Sequence, residues 1–121
     1  MTWVRLDEKF ADHPKVVRAG PLGMAMHVTA LCYCNRHLTD GFVPKQIASV
    51  LLDLTGLGEW SLVVEDLVEA GLWEPVDRGW LIHDYLDYQP SRAYAESVKN
   101  KRKQAGSRGG LAKAKQRASN G

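Results

Sequence analysis

Residues 60–85 read WSLVVEDLVEAGLWEPVDRGWLIHDY, and this stretch decides the fold. In its first half Trp60, Val63, Val64, Leu67 and Val68 recur at i, i+3, i+4, i+7 and i+8, the spacing of one continuous apolar helix face. Gly71 follows as a natural C-terminal cap. In its second half two extended runs, Leu72–Val76 and Trp80–Tyr85, are rich in aromatic and β-branched residues. They flank Asp77-Arg78-Gly79, an Asp-x-Gly turn, and the pattern predicts a β-hairpin.

Working back toward the N-terminus, Pro44 opens a helix through Ile47, Ala48, Val50, Leu51 and Leu54, which Gly56 and Gly58 terminate. Phe42-Val43 is a short extended piece, preceded by the turn residues Thr39-Asp40-Gly41. A long helix is predicted from about Leu22 to Leu38, with Met24, Val28 and Leu31 at helical spacing. Ahead of it, Asp12 suits an N-cap and Pro14 a first helical turn, for a short helix ending at Gly20-Pro21. Trp3-Val4-Arg5-Leu6 alternates as a short strand would. A strand, a helix, a short strand, two helices and a hairpin is the order of a winged helix-turn-helix domain. The fold expected for residues 1–90 is therefore mainly α with a small β-hairpin, of winged-helix type.

Composition changes at Gln89-Pro90. Residues 1–90 hold seven Lys/Arg against thirteen Asp/Glu, a net of −6. Residues 91–121 hold nine Lys/Arg and one acid, Glu96, a net of +8, so the overall +2 conceals a sharp division. Residues 93–103 can be helical, whereas SRGGLAKAKQRASNG offers almost nothing to bury. The second segment is expected to be a basic tail, partly helical or disordered.

The charges also decide which surface suits nucleic acid. With its apolar face in the core, the 60–69 helix turns Glu59, Ser61, Glu65, Asp66 and Glu69 outward, and none of these is Lys or Arg. Binding to DNA depends on neutralising phosphates, and base edges are read most often by Arg or Lys. This helix is thus poorly suited to a major groove, and Glu65, Asp66 and Glu69 are assigned to protein contacts or to solvent. Arg78 at the hairpin tip is a candidate phosphate or minor-groove contact, with a solvated turn arginine as the other reading. The main DNA contacts are expected from Lys99, Lys101, Arg102, Lys103, Arg108, Lys113, Lys115 and Arg117, which no acid interrupts. Such binding would run through phosphates and be steeply salt-dependent.

Few residues suggest catalysis, a metal or a cofactor. His27, Cys34 and His37 can share one helix face, but a structural zinc site wants four ligands and no fourth is nearby. His83 and Asp84 are neighbours on a predicted strand and so should face opposite sides. There is no phosphate-binding loop and no nucleophile elbow. Trp60 and Trp73 lie on apolar faces and read as core, and Cys32 and Cys34 as buried, inert thiols. No apolar run approaches the roughly 20 residues of a membrane span, and the N-terminus lacks a signal core. The expectation is a non-enzymatic cytoplasmic protein, without cofactor or metal.

Four segments carry a resemblance: WVRLDEKFADHPKV (3–16), ALCYCNRHLTDGFVP (30–44), VEDLVEAGLWE (64–74) and, above all, IHDYLDYQPSR (82–92). Together they resemble small winged-helix proteins of actinobacterial phages and prophages. These in turn are similar to the N-terminal domains of phage replisome organisers and DnaD-like primosome proteins. The resemblance implies a winged-helix fold and a place in replication initiation, or else in phage control of transcription. In the replisome-organiser family that domain is associated with origin binding or self-association. No family binding residue has a match here. The partners implied are DNA, a second copy of the chain, and a host or phage replication protein. Two other readings stay open: a sequence-specific transcriptional regulator, and a module that engages a host replication or transcription factor through its acidic face.

Overall fold

The first helix, α1, spans Pro14–His37 and is broken once, at Gly20, where φ is 81° and ψ 175°. Glycine reaches that conformation without a Cβ penalty, and Pro21 could not have donated the helical hydrogen bond in any case. The break thus falls where the sequence placed the boundary between a short and a long helix. The structure, a computed structural model, describes residues 3–89 and 91–103. The chain divides into two units, residues 1–90 and residues 91–121.

In the first unit α1 is followed by β1 (Phe42–Pro44), α2 (Lys45–Ala48), α3 (Trp60–Glu69), β2 (Trp73–Val76), β3 (Gly79–Ile82) and a single turn, α4 (Tyr85–Tyr88). The unit is mainly helical with a small antiparallel sheet in the order β1-β3-β2. The hairpin of β2 and β3 pairs Trp73 with Ile82 and Val76 with Gly79. The extended piece at 42–44 joins it as a third strand, with Phe42 opposite Leu81 and Pro44 opposite Gly79. A Cβ on Gly79 would stand 2.2 Å from the Val43 carbonyl oxygen, so only glycine lets the two strands approach.

α1 packs chiefly on α3, and the core between these helices and the sheet holds Met26, Ala30, Val64, Leu67, Trp73 and Ile82. Val63, Val64 and Leu67 of α3 are buried, and Trp60 and Val68 flank them half-buried, as the apolar spacing requires. α3 ends at Gly71, with φ of 83° and the Leu72 N–H donating to the Leu67 carbonyl. Trp73 is 1% exposed and is the largest side chain in the core. Its indole N–H donates to Nδ1 of His27, also buried, at 3.0 Å.

Several expectations are corrected. The 44–54 helix is only one turn, Lys45–Ala48: the Ser49 hydroxyl donates to the Gln46 carbonyl and the Val50 N–H to the Ile47 carbonyl, so the helical ladder ends there. Asp53 Oδ1 holds a separate turn by accepting the Thr55 N–H and hydroxyl. Val50 consequently stands 71% exposed, while Leu54 still reaches the core. Trp3–Leu6 forms no strand: the Gln89 side-chain amide, not a neighbouring strand, takes up the Arg5 backbone N–H and carbonyl. The N-cap of α1 is His13, whose Nδ1 accepts the Lys15 N–H at 3.2 Å, and Asp12 lies in the preceding turn of Phe10–Asp12. β3 stops at Ile82, and the chain turns at Asp84, where φ is 59°, into α4. Cys32 is exposed, although Cys34 is buried as expected.

In the second unit residues 92–103 are helical. Ser91 caps this helix, its hydroxyl accepting the Tyr94 N–H at 3.1 Å, and Arg92 pairs with Glu96 one turn on at 3.0 Å. Arg108, Lys113, Lys115 and Arg117 lie outside the described residues. Among the described residues no helix is long and apolar enough to cross a membrane.

Candidate functional site

The outward face of α3 is set by its own periodicity. Burial of Val63, Val64 and Leu67 obliges Glu65, Asp66 and Glu69 to face solvent, and all three are exposed. No Lys or Arg occurs between residues 46 and 77, so the surface of this helix carries only negative charge. Leu62 adds an apolar side chain at 58% exposure. Beside the acids runs a groove lined by Lys45, Trp60, Val64, Val68, Pro75 and Trp80. Trp60 and Trp80 meet there edge to face, with ring centroids 6.3 Å apart. Half-buried tryptophans rimmed by charge are the composition of a protein-contact surface. The sequence placed Trp60 on the apolar helix face and Trp80 in the hairpin, but only the tertiary register brings the two together.

Arg78 occupies the hairpin tip with φ of 66°, and its side chain is 89% exposed, 4.0 Å from Asp77. An ion pair at that distance and exposure contributes little, so the guanidinium is free to engage a phosphate. Its backbone carbonyl has a separate role, accepting the Lys45 N–H at 3.0 Å and so tying the tip to the start of α2.

Lys99, Lys101, Arg102 and Lys103 belong to the 92–103 helix, and all four are exposed. Lys99, Arg102 and Lys103 stand at i, i+3 and i+4, so three cations share one side of it. The structure thus keeps the negative α3 face and these cations in separate units.

The residues weighed for a metal do not converge. His27 is engaged with Trp73, and Cys34 Sγ points to the Phe42 carbonyl at 3.6 Å. Burial pushes the Cys34 thiol up to about 11, which keeps it protonated and a poor ligand or nucleophile. His37 packs on Tyr33, with ring centroids 4.5 Å apart. No group of three or more potential ligands occurs among the described residues. One pairing runs against the strand argument: His83 Nδ1 and Asp84 Oδ2 lie 2.8 Å apart. Both residues follow the end of β3, where the alternation of faces no longer applies, and the positive φ of Asp84 folds its carboxylate back. No match to this chain emerges from comparison with protein-family models, curated proteins or solved structures.

Proposed function

We propose that this chain is a non-enzymatic DNA-binding accessory protein, with a winged-helix domain for protein contacts and a basic C-terminal segment that holds DNA through its phosphates. The winged-helix reading is supported by the element order and by β1 pairing with the second arm of the hairpin. Replication initiation is the process suggested by the resemblance of residues 3–92 to phage replication proteins. Its protein partner is then a replication protein or a second copy of the chain.

One observation carries the division of labour. α3 is the helix that a winged-helix protein would insert in the major groove, yet it exposes Glu65, Asp66 and Glu69 and holds no Lys or Arg of its own. A duplex would be repelled by that face and attracted by the net +8 of residues 91–121. The test is a mobility shift on duplex DNA at low salt, with the full chain and with residues 99–121 deleted. Loss of the shift supports the proposal. Undiminished binding by the truncated chain would overturn it and favour an operator-reading regulator.

A further inference from the structure

A cavity of about 230 Å3 is lined by the N-terminal segment, α1 and the end of β3, with His27 but not Trp73 in its wall. Its apolar walls come from Phe10, Val16, Leu31, Ile82 and Tyr85. His27 supplies a buried polar group to its wall. The side chain is 6% exposed, and its Nδ1 accepts the Trp73 indole N–H, which leaves the ring proton on Nε2. Burial draws the imidazole pKa down to about 4, so at neutral pH the ring is uncharged and Nε2–H is a standing donor. Among the described residues Nε2 meets no hydrogen-bond partner, yet it is not sealed from open space. A nearly buried donor of this kind calls for an acceptor. Phe10 holds the ring in place by stacking on it, with centroids 5.6 Å apart and planes 13° from parallel.

The rim selects the sign of that acceptor. Arg5, Lys9 and Lys15 border the cavity, against Asp7 and Asp84. Three cations against two acids leave the rim a net of one positive charge; Asp84 lies 2.8 Å from His83, and Asp7 Oδ1 accepts the Lys9 backbone N–H at 2.7 Å. The three cations form no ion pair among the described residues. Lys15 is the best placed of them, because it is half-buried and its stem lies along Gly71, 3.6 Å from where a Cβ would be.

We propose that this cavity binds a small organic monoanion, an aryl or branched aliphatic carboxylate, whose acid group accepts from His27 Nε2–H and pairs with Lys15. Its apolar body packs between Phe10, Val16 and Leu31. The volume falls below the roughly 300 Å3 at which drug-sized sites begin, so the body is no larger than a single ring. One neutral donor and one partly buried ammonium satisfy a carboxylate. The site is independent of the DNA-binding proposal, since it uses none of the same residues.

The test is an NMR titration of the full-length chain with benzoate and with phenylacetate, with benzamide as the neutral isostere. The reporter is the Trp73 indole N–H, one hydrogen bond removed from the ligand through the imidazole. The expected result is a saturable shift of that resonance with at least one acid, and about tenfold weaker binding of benzamide, as for the loss of one charge-assisted hydrogen bond. Lys15→Gln, a change at the cavity rim rather than in the core, should weaken the acid by a similar factor. Three results would each overturn the proposal: no saturable Trp73 shift with either acid, equal binding of benzamide, or unchanged affinity in Lys15→Gln. Shifts limited to the lysines and arginines of residues 91–121 count as the first of these.

Discussion

His27 Nδ1 accepts the indole N–H of Trp73 at 3.0 Å, joining the middle of α1 to the first strand of the hairpin through the core. The bond satisfies the only polar atom of the largest buried side chain. It also requires an unprotonated nitrogen, since a protonated imidazole would present a donor to a donor. Stability is therefore linked to pH at this pair.

The sign follows from the two pKa values. The folded pKa of His27 is lowered to about 4 from 6.5, so between those values the unfolded chain binds the extra proton. The contribution is complete above about pH 6.5 and is lost as the pH falls toward 4. At 1.36 kcal/mol per pKa unit the contribution reaches about 3 kcal/mol. Urea unfolding at a series of pH values should show stability declining through this window. His27→Gln, which offers an acceptor that does not titrate, should flatten that decline even where its overall stability is lower.

The N-terminal segment depends on a different clamp. Gln89 is 4% exposed, and its amide accepts the Arg5 N–H at 3.0 Å while donating to the Arg5 carbonyl. Gln89→Ala removes both bonds and should cost about 1–2 kcal/mol, from two side-chain hydrogen bonds at roughly 1 kcal/mol each. The effect should be local. Hydrogen exchange at the Arg5 amide should accelerate strongly, while the amides of Leu67 and Trp73 change only with global stability.

Much of the fold is legible in the sequence because its signals are local. The apolar spacing of Trp60–Val68, the Asp77-Arg78-Gly79 turn signal and the Gly20-Pro21 break each act within a few residues. The helix face and the break appear where the pattern placed them, and the hairpin forms with Asp77-Arg78 as its turn and Gly79 as the first residue of β3. What escapes is set by partners far along the chain. The Arg5 segment alternates like a strand, but its backbone is taken by a side chain 84 residues away. The 44–54 helix is a local exception: it has the right apolar residues, yet at Ser49 and Val50 the hydrogen bonds turn back to Gln46 and Ile47 and the helix ends. The candidate surfaces divide in the same way. The charges of α3 and of residues 99–103 follow directly from composition, whereas the Trp60–Trp80 groove and the cavity at His27 depend on tertiary register.

Charge reversal on α3 separates a protein-contact face from a DNA-contact face. Glu65, Asp66 and Glu69 are exposed and make no ion pair among the described residues, so each replacement by Lys should change stability by no more than about 0.5 kcal/mol. If the helix faces a protein, the triple variant should bind duplex DNA more tightly than the native chain, because three repulsive charges become attractive. It should also lose whatever protein partner the native chain retains. Weaker DNA binding in this variant, measured by fluorescence anisotropy at fixed salt, would mean that the carboxylates read bases.

The salt dependence of DNA binding counts the cations involved. Residues 99–117 carry eight Lys/Arg. With all eight on phosphates, log K should fall against log[salt] with a slope of about −7, at about −0.9 per phosphate neutralised. A chain ending at Lys103 keeps Lys99, Lys101, Arg102 and Lys103, so its slope should halve to about −3.5 on the same basis. A chain ending before Lys99 should show almost none, with Arg78 alone contributing at most about −1. These three slopes also test the role of the folded domain. A sequence-reading domain would leave a salt-insensitive share of the affinity intact in the shortest chain, and would bind one duplex in preference to others. Binding carried by the basic segment leaves neither, so the shortest chain should fail equally on every duplex tried.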